Sequence, residues 1–132
     1  MDDHDSKPAL MTKILIVDDN RDSRELVAKI LQKRGYKIIE ALDGEDALQK
    51  AEQERPSLIL MDISLPKLDG YEVTRRLKSL DAFRDTPIIA LTAHAMKGDR
   101  EKALSAGCRD YMSKPINIRE LPDRVQRYLE EA

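Results

Sequence analysis

Four short apolar runs in this chain each end in a residue suited to phosphate chemistry. Ile14-Leu15-Ile16-Val17 leads into Asp18-Asp19, and Leu58-Ile59-Leu60-Met61 leads into Asp62. Ile88-Ile89-Ala90-Leu91 leads into Thr92, and Tyr111-Met112-Ser113 leads into Lys114-Pro115. Three carboxylates brought together repel, by about 4 kcal/mol per pair at 4 Å and an effective dielectric near 20. They therefore need a cation among them or raised pKa values. A hard, all-oxygen site with few carboxylates suits Mg²⁺, which keeps waters and often takes a phosphate oxygen as a further ligand. Lys114 adds a compact positive charge and Thr92 a hydroxyl donor. A divalent ion and an ammonium around a carboxylate form a clamp for a transferring phosphoryl group. An aspartate can itself be the nucleophile of such a transfer, giving an aspartyl phosphate.

Continuous aliphatic runs separated by helix-period segments read as buried parallel strands. In an open parallel sheet the carboxyl ends share one edge, and ligands bind there where strand order reverses. The expected strands are Lys13 to Val17, Tyr36 to Glu40, Ser57 to Met61, Pro87 to Leu91 and about Asp110 to Met112. Asn20 or Asp22 can cap a first helix with Leu26, Val27, Ile30 and Leu31 on its apolar face, stopped at Gly35. Asp43-Gly44 turns into a second helix carrying Ala47, Leu48 and Ala51, which ends before Pro56. Asp69-Gly70 opens a third, with Val73, Leu77 and Leu80. A fourth spans about Met96 to Ala106 and ends at Gly107, and the last carries Val125, Tyr128 and Leu129. Pro122 would break a helix begun at Asn117 but is welcome at a first helical position, so the regular helix should start near Leu121. Strict alternation of strand and helix gives a doubly wound α/β sandwich, expected in the flavodoxin-like order 2-1-3-4-5. Strands one and three, which carry the acids, then flank the switch point.

The 132 residues make one domain, which buries roughly 68% of its unfolded surface. The expected division is a flexible tail over 1–11 and a folded domain over 12–132. The formal charge of -2 shows no basic stripe of the kind a nucleic-acid binder carries. Cys108 is the single cysteine, which excludes a disulfide framework or zinc spacing and suits a small packing residue. No run is long enough to span a membrane, and the polar Met1–Met11 segment lacks a signal-peptide core, so a cytoplasmic protein is expected.

The same residues carry a family resemblance. Ile14 to Asp19, Leu58 to Gly70 (LILMDISLPKLDG), Pro87 to Gly98 (PIIALTAHAMKG) and Ala106 to Ile116 (AGCRDYMSKPI) closely resemble the receiver domain of bacterial two-component response regulators. The stretch Ala95-Met96-Lys97-Gly98-Asp99 is most similar to stand-alone receivers and to those of hybrid histidine kinases. The resemblance implies a phosphorylation switch. Asp62 would accept phosphate from a phosphohistidine on a sensor histidine kinase or a histidine phosphotransfer protein. Asp18, Asp19, Asp62 and the backbone carbonyl of Ser64 would hold Mg²⁺, with Mn²⁺ as a substitute. Lys114 would pair with the phosphate, Thr92 would swing toward it, and Tyr111 would rotate inward behind it. Such a domain catalyses only its own phosphorylation and dephosphorylation. With no second domain expected after the fifth helix, output would be contact with a downstream protein target, without nucleic acid or membrane, as a monomer or a phosphorylation-dependent dimer.

Taken singly, each residue has a plainer reading. Asp18-Asp19 or Thr92 could cap a helix, Asp62 could begin a loop, Lys114 could be a solvated charge and Tyr111 core filler. His94 could overhang the pocket or point into solvent. A flavin-binding electron carrier would need a Ser/Thr/Gly phosphate loop after strand one and aromatics to sandwich the ring, whereas the chain has Asp-Asp there, one Phe and no Trp. A Mg²⁺-dependent phosphatase would present its nucleophile after strand one, with a second acid two residues on and a cap domain. A docking module independent of phosphorylation is the third alternative, and retention of every pocket group argues against it.

Overall fold

The aliphatic runs become the strands of a parallel sheet because only a sheet covered on both faces can bury such runs without polar alternation. The computed structural model describes residues 12–93 and 98–131. The N-terminal segment before residue 12, His94 to Lys97 and Ala132 lie outside the described residues. The strands are β1 (Lys13–Val17), β2 (Lys37–Ala41), β3 (Leu58–Asp62), β4 (Ile88–Thr92) and β5 (Asp110–Ser113). They form a five-stranded sheet in the order β2-β1-β3-β4-β5, with every neighbouring pair parallel. This is the expected flavodoxin-like arrangement. The helices are α1 (Arg21–Gln32), α2 (Gly44–Glu54), α3 (Gly70–Lys78), α4 (Asp99–Ala106) and α5 (Glu120–Glu131).

The period-two alternation of a strand divides the core into two layers. Leu15 and Val17 of β1 join Ile59, Met61, Ile88 and Ala90 on one face, against Ala47 and Ala51 of α2, Val73 and Leu77 of α3 and Ala103 of α4. Ile14 and Ile16 join Leu58, Leu60, Ile89 and Leu91 on the other, against Val27, Ala28 and Leu31 of α1 and Leu121 and Val125 of α5. The chain is therefore doubly wound, with α1 and α5 on one side and α2 to α4 on the other. Short polar residues start the helices. Asn20, Asp43 and Asp69 each accept a backbone N–H three residues on, from Ser23, Asp46 and Glu72, at 2.8–2.9 Å.

Several boundaries differ from the sequence reading. β3 and β4 run one residue further, through Asp62 and Thr92, because pairing continues there: Asp62 lies opposite Leu91 and Thr92 opposite Ser113. Tyr36 precedes β2, which ends at Ala41. Leu26 is 48% exposed, since the face of α1 on the sheet is Val27, Ala28 and Leu31. Leu80 is 43% exposed beyond the end of α3, and Phe83, on a 3₁₀ turn over Asp81–Phe83, fills the core at 1% exposure. α5 begins at Glu120, one residue before the expected start. The Asn117 side chain accepts the N–H groups of Arg119 and Glu120 at 2.9 and 3.0 Å, which leaves Pro122 in the first turn, where it needs no donor. The expected start of α4 at Met96 falls outside the described residues, and Asp99 is the first residue assigned to that helix. Cys108 is buried, its Sγ 3.9 Å from Thr74 Oγ1, and burial pushes the thiol up to about 11, as fits a packing residue.

Gly107 closes α4 at φ 110°, and a Cβ there would sit 2.8 Å from Cγ of Lys78. Lys78 is not free to yield, since its ammonium donates to the carbonyls of Phe83, Arg84 and Thr86. Gly107→Ala should therefore destabilise the fold by about 1–2 kcal/mol from backbone conformation alone. Urea unfolding checks this, and an unchanged midpoint would contradict it.

Candidate functional site

The register of the central strands delivers the acids side by side. Val17 pairs with Met61, so Asp18 and Asp62 leave neighbouring strands at the same edge. Asp18 stays bound to the sheet, its N–H donating to the carbonyl of Ala41 at 3.1 Å. Its Oδ1 accepts the N–H of Asn20 at 2.9 Å, and Oδ1 of Asp62 accepts the N–H of Ser64 at 3.0 Å. Each acid thus uses one oxygen to shape the loop that follows it and turns the other inward. Both are buried, at 1% and 3% exposure, whereas Asp19 is exposed.

Lys114 meets them from the far side of the sequence. It follows β5, and its N–H donates to the carbonyl of Thr92 at 2.6 Å. The Lys114–Pro115 peptide bond is cis. Its ammonium lies 3.0 Å from Asp18 Oδ2 and 3.5 Å from Asp62 Oδ2. Burial opposes the charged ammonium, but the bonds to Asp18 and Asp62 outweigh it and raise the lysine above its ordinary value. Burial pushes the Asp62 carboxyl up. The Ser64 N–H and Lys114 pull it back without cancelling the rise, and Asp18 adds to it.

Asp18, Asp19 and Asp62 each offer a carboxylate oxygen, and these oxygens lie within 4.8 Å of one another. Three carboxylates against one ammonium leave an excess of two negative charges when all are ionised. A divalent cation matches that excess, and hard oxygen donors match Mg²⁺. The donor set therefore fits the ion that the sequence implies. Thr92 ends β4 and is buried. Tyr111, on β5, is half-buried against the core layer of α2 to α4, beside a cleft of about 310 Å³ that it lines with Arg100, Ser113 and Arg124. Ser64 has an exposed side chain, and its N–H is taken by Asp62. Nothing is described for His94.

Two contributors escaped the sequence reading. Gly70, read there as a helix start, sits where a Cβ would fall 2.4 Å from the carbonyl oxygen of Asp62 and 2.8 Å from Cα of Ile63. The first turn of α3 presses directly on the main chain of Asp62 and Ile63. Arg24 of α1 donates to the main-chain carbonyl of Asp18 at 2.9 Å. Residue type signals neither contact. Both follow from how a helix lies on the sheet.

The chain is thus a flavodoxin-like domain with buried acids and a lysine gathered at the switch point of its parallel sheet. The family model for the response regulator receiver domain matches residues 14–126, and the chain belongs to that family. The polar-differentiation response regulator DivK of Brucella anthropi is 43% identical over 119 residues, covering 90% of this chain and 97% of that protein. The receiver domain of the sensor histidine kinase PA1611 from Pseudomonas aeruginosa, with a magnesium ion coordinated in its active-site cleft, matches at a TM-score of 0.83 and 42% identity over 90% of this chain and 98% of that one. The chemotaxis protein CheY4 of Vibrio cholerae matches at 0.85 and 31% identity, over 89% and 98%. Among the described residues no helix is long and apolar enough to cross a membrane.

The raised Asp62 pKa carries a consequence for stability. A carboxyl that protonates more readily folded than unfolded contributes stability below its ordinary pKa and loses it as pH rises through the folded value. In metal-free protein at neutral pH an ionised Asp62 is therefore a net cost. Asp62→Asn should raise the melting temperature at pH 7, and the gain should vanish below the ordinary carboxylate range. Equal melting temperatures for the two proteins at pH 7 would contradict this.

Proposed function

We propose that the protein is a phosphorylation-activated switch in which Asp62 accepts a phosphoryl group from a phosphohistidine. The donor is a sensor histidine kinase or a histidine phosphotransfer protein. The observation that carries the reading is the bridging of Asp18 and Asp62 by Lys114 beside the exposed acid Asp19. That arrangement leaves Asp62 adjacent both to an acidic cluster and to a fixed ammonium. A carboxylate oxygen of Asp62 attacks phosphorus, the P–N bond to the donor imidazole breaks, and the bond's electrons leave with the ring. Asp18, Asp19, Asp62 and the carbonyl of Ser64 would hold Mg²⁺, or Mn²⁺ in its place. Such an ion, when bound, supplies charge stabilisation for the equatorial phosphoryl oxygens. Lys114 neutralises another phosphoryl oxygen, and its rigid tether to Thr92 through the main chain keeps it in place. Water attacking phosphorus later returns Asp62 to the free carboxylate. The exposed, small Ser64 leaves that water a path. Apart from these two transfers on its own aspartate, the protein has no catalytic task.

Output runs through protein contact in the cytoplasm. The Thr92 hydroxyl closes on the phosphoryl group, Tyr111 turns into the space it leaves, and the face formed by α4, β5 and α5 repacks. The backbone of Tyr111 is held on both sides, its N–H by Asp110 at 2.7 Å and its carbonyl by Arg124 at 3.3 Å, so a side-chain rotation is the motion available. Arg100, Glu101 and Lys102 give α4 a charged face for partner selection. A ten-fold population shift needs only about 1.4 kcal/mol of differential stabilisation.

Incubation with phosphorylated histidine kinases and Mg²⁺ should give acid-labile labelling that Asp62→Asn abolishes, and full labelling of that variant would overturn the assignment. Thr92→Ala should still take label. Added beryllofluoride, which stands in for the phosphoryl group, should shift backbone NMR signals across Tyr111 and α5 in the wild type and only at the pocket in Thr92→Ala. A wild-type response confined to the pocket would remove the Thr92–Tyr111 coupling and favour docking independent of phosphorylation.

A further inference from the structure

We propose that Arg24, aimed by Glu40, is a positioning residue that sets the geometry of the divalent-cation site through the main chain of Asp18. The inference rests on the pocket's reading as a Mg²⁺ site.

Arg24 lies in the first turn of α1, its N–H on the carbonyl of Asn20 at 3.0 Å. Its side chain is only 11% exposed. One guanidinium nitrogen donates to the Asp18 carbonyl at 2.9 Å, and Nε donates to Glu40 Oε1 at 2.7 Å. Glu40 is on β2, opposite Ile16 of β1, and its own carbonyl accepts the ammonium of Lys50 on α2. The planar guanidinium thus spans from β2 to the end of β1, holding two partners with a fixed fork.

The bond falls on the peptide that joins Asp18 to Asp19. The other polar groups of Asp18 already have partners: Ala41 takes the N–H, and Asn20 and Lys114 take the two carboxylate oxygens. Arg24 supplies the partner for the carbonyl. Asp19 is exposed, so packing does not orient it, and the plane of the preceding peptide does. Fixing that plane keeps the Asp19 carboxylate with those of Asp18 and Asp62.

Charge and position make opposite predictions here. A cation this close to an acidic cluster disfavours a second cation by simple repulsion, so deleting it should tighten Mg²⁺ binding if charge alone mattered. If Arg24 positions the ligands, deleting it should weaken binding, by roughly ten-fold or more as for other groups that orient metal ligands. An ordinary ion pair tying α1 to β2 would lower the melting temperature and leave Mg²⁺ affinity unchanged.

Calorimetric titration of Mg²⁺ into the metal-free full chain separates these cases. Arg24→Ala should raise the Mg²⁺ dissociation constant about ten-fold, Glu40→Gln should raise it in the same direction, and the double variant should be no worse than Arg24→Ala. Arg21→Ala, which removes the exposed Arg21–Glu25 pair on the same helix, should leave the affinity unchanged. Circular dichroism confirms folding, and Arg24→Lys, which keeps the charge and loses the fork, should also weaken Mg²⁺ binding and carries the test if Arg24→Ala does not fold. Unchanged or tighter Mg²⁺ binding in the folded variants overturns the proposal while leaving the Mg²⁺ site intact. Absence of Mg²⁺ binding in the wild type overturns both.

Discussion

The ammonium of Lys114, held between the buried carboxylates of Asp18 and Asp62, is the interaction around which the molecule is arranged. Two carboxylates buried side by side are tolerable only with a counter-charge in place. The residues that meet are 96 positions apart in sequence, so no local structure can bring them together. The sheet does so by register. Pairing of β1 with β3 sets the two acids abreast, and β4 links β3 to β5, which leads directly into the lysine. Asp62 remains the imperfectly satisfied member, raised by burial beyond what one N–H and one ammonium offset. A site poised in this way gains from taking up further positive charge.

The layers around the sheet serve that edge differently. On one side Asn20, the cap of α1, helps turn the chain after Asp18, and Arg24 of α1 holds the Asp18 carbonyl. On the other side α3 seats Gly70 against the main chain of Asp62, closer than any side chain would allow. The end of β3 is therefore gripped from behind, and the Asp62 side chain faces Lys114 and Asp18. The same layer holds α4, whose buried residues are the small Ala103 and Ala106. That thin anchorage is compatible with the repacking proposed for this face.

Much of this was legible in the sequence. Aliphatic runs that end in acids pointed to the parallel strands, because a buried parallel strand needs a continuous run, and the expected order 2-1-3-4-5 set Asp18, Asp19 and Asp62 at one edge, where they lie with Lys114. The strand ends were less legible: nothing in the types of Asp62 and Thr92 says that ladder pairing continues through them. Leu26 and Leu80 look like core by spacing, yet one lies off the buried stripe of α1 and the other beyond the end of α3, where Phe83 takes the space. Pro122 correctly pointed to a late start for α5, but the reach of the Asn117 side chain set the boundary one residue earlier. Gly70 and Arg24 were invisible as site residues because their roles act on main-chain atoms. Contacts of that kind depend on how helices dock, which hydrophobic periodicity leaves open.

The chemical event at the centre of the proposal is the formation of an aspartyl phosphate on Asp62, at the end of β3. The most direct measurement is to treat the Mg²⁺-loaded protein with acetyl phosphate, reduce the acyl phosphate with tritiated borohydride, and locate the label by peptide mass spectrometry. The account predicts label on Asp62 and on no other residue. Label on Asp18 or Asp19, or none anywhere, would contradict it.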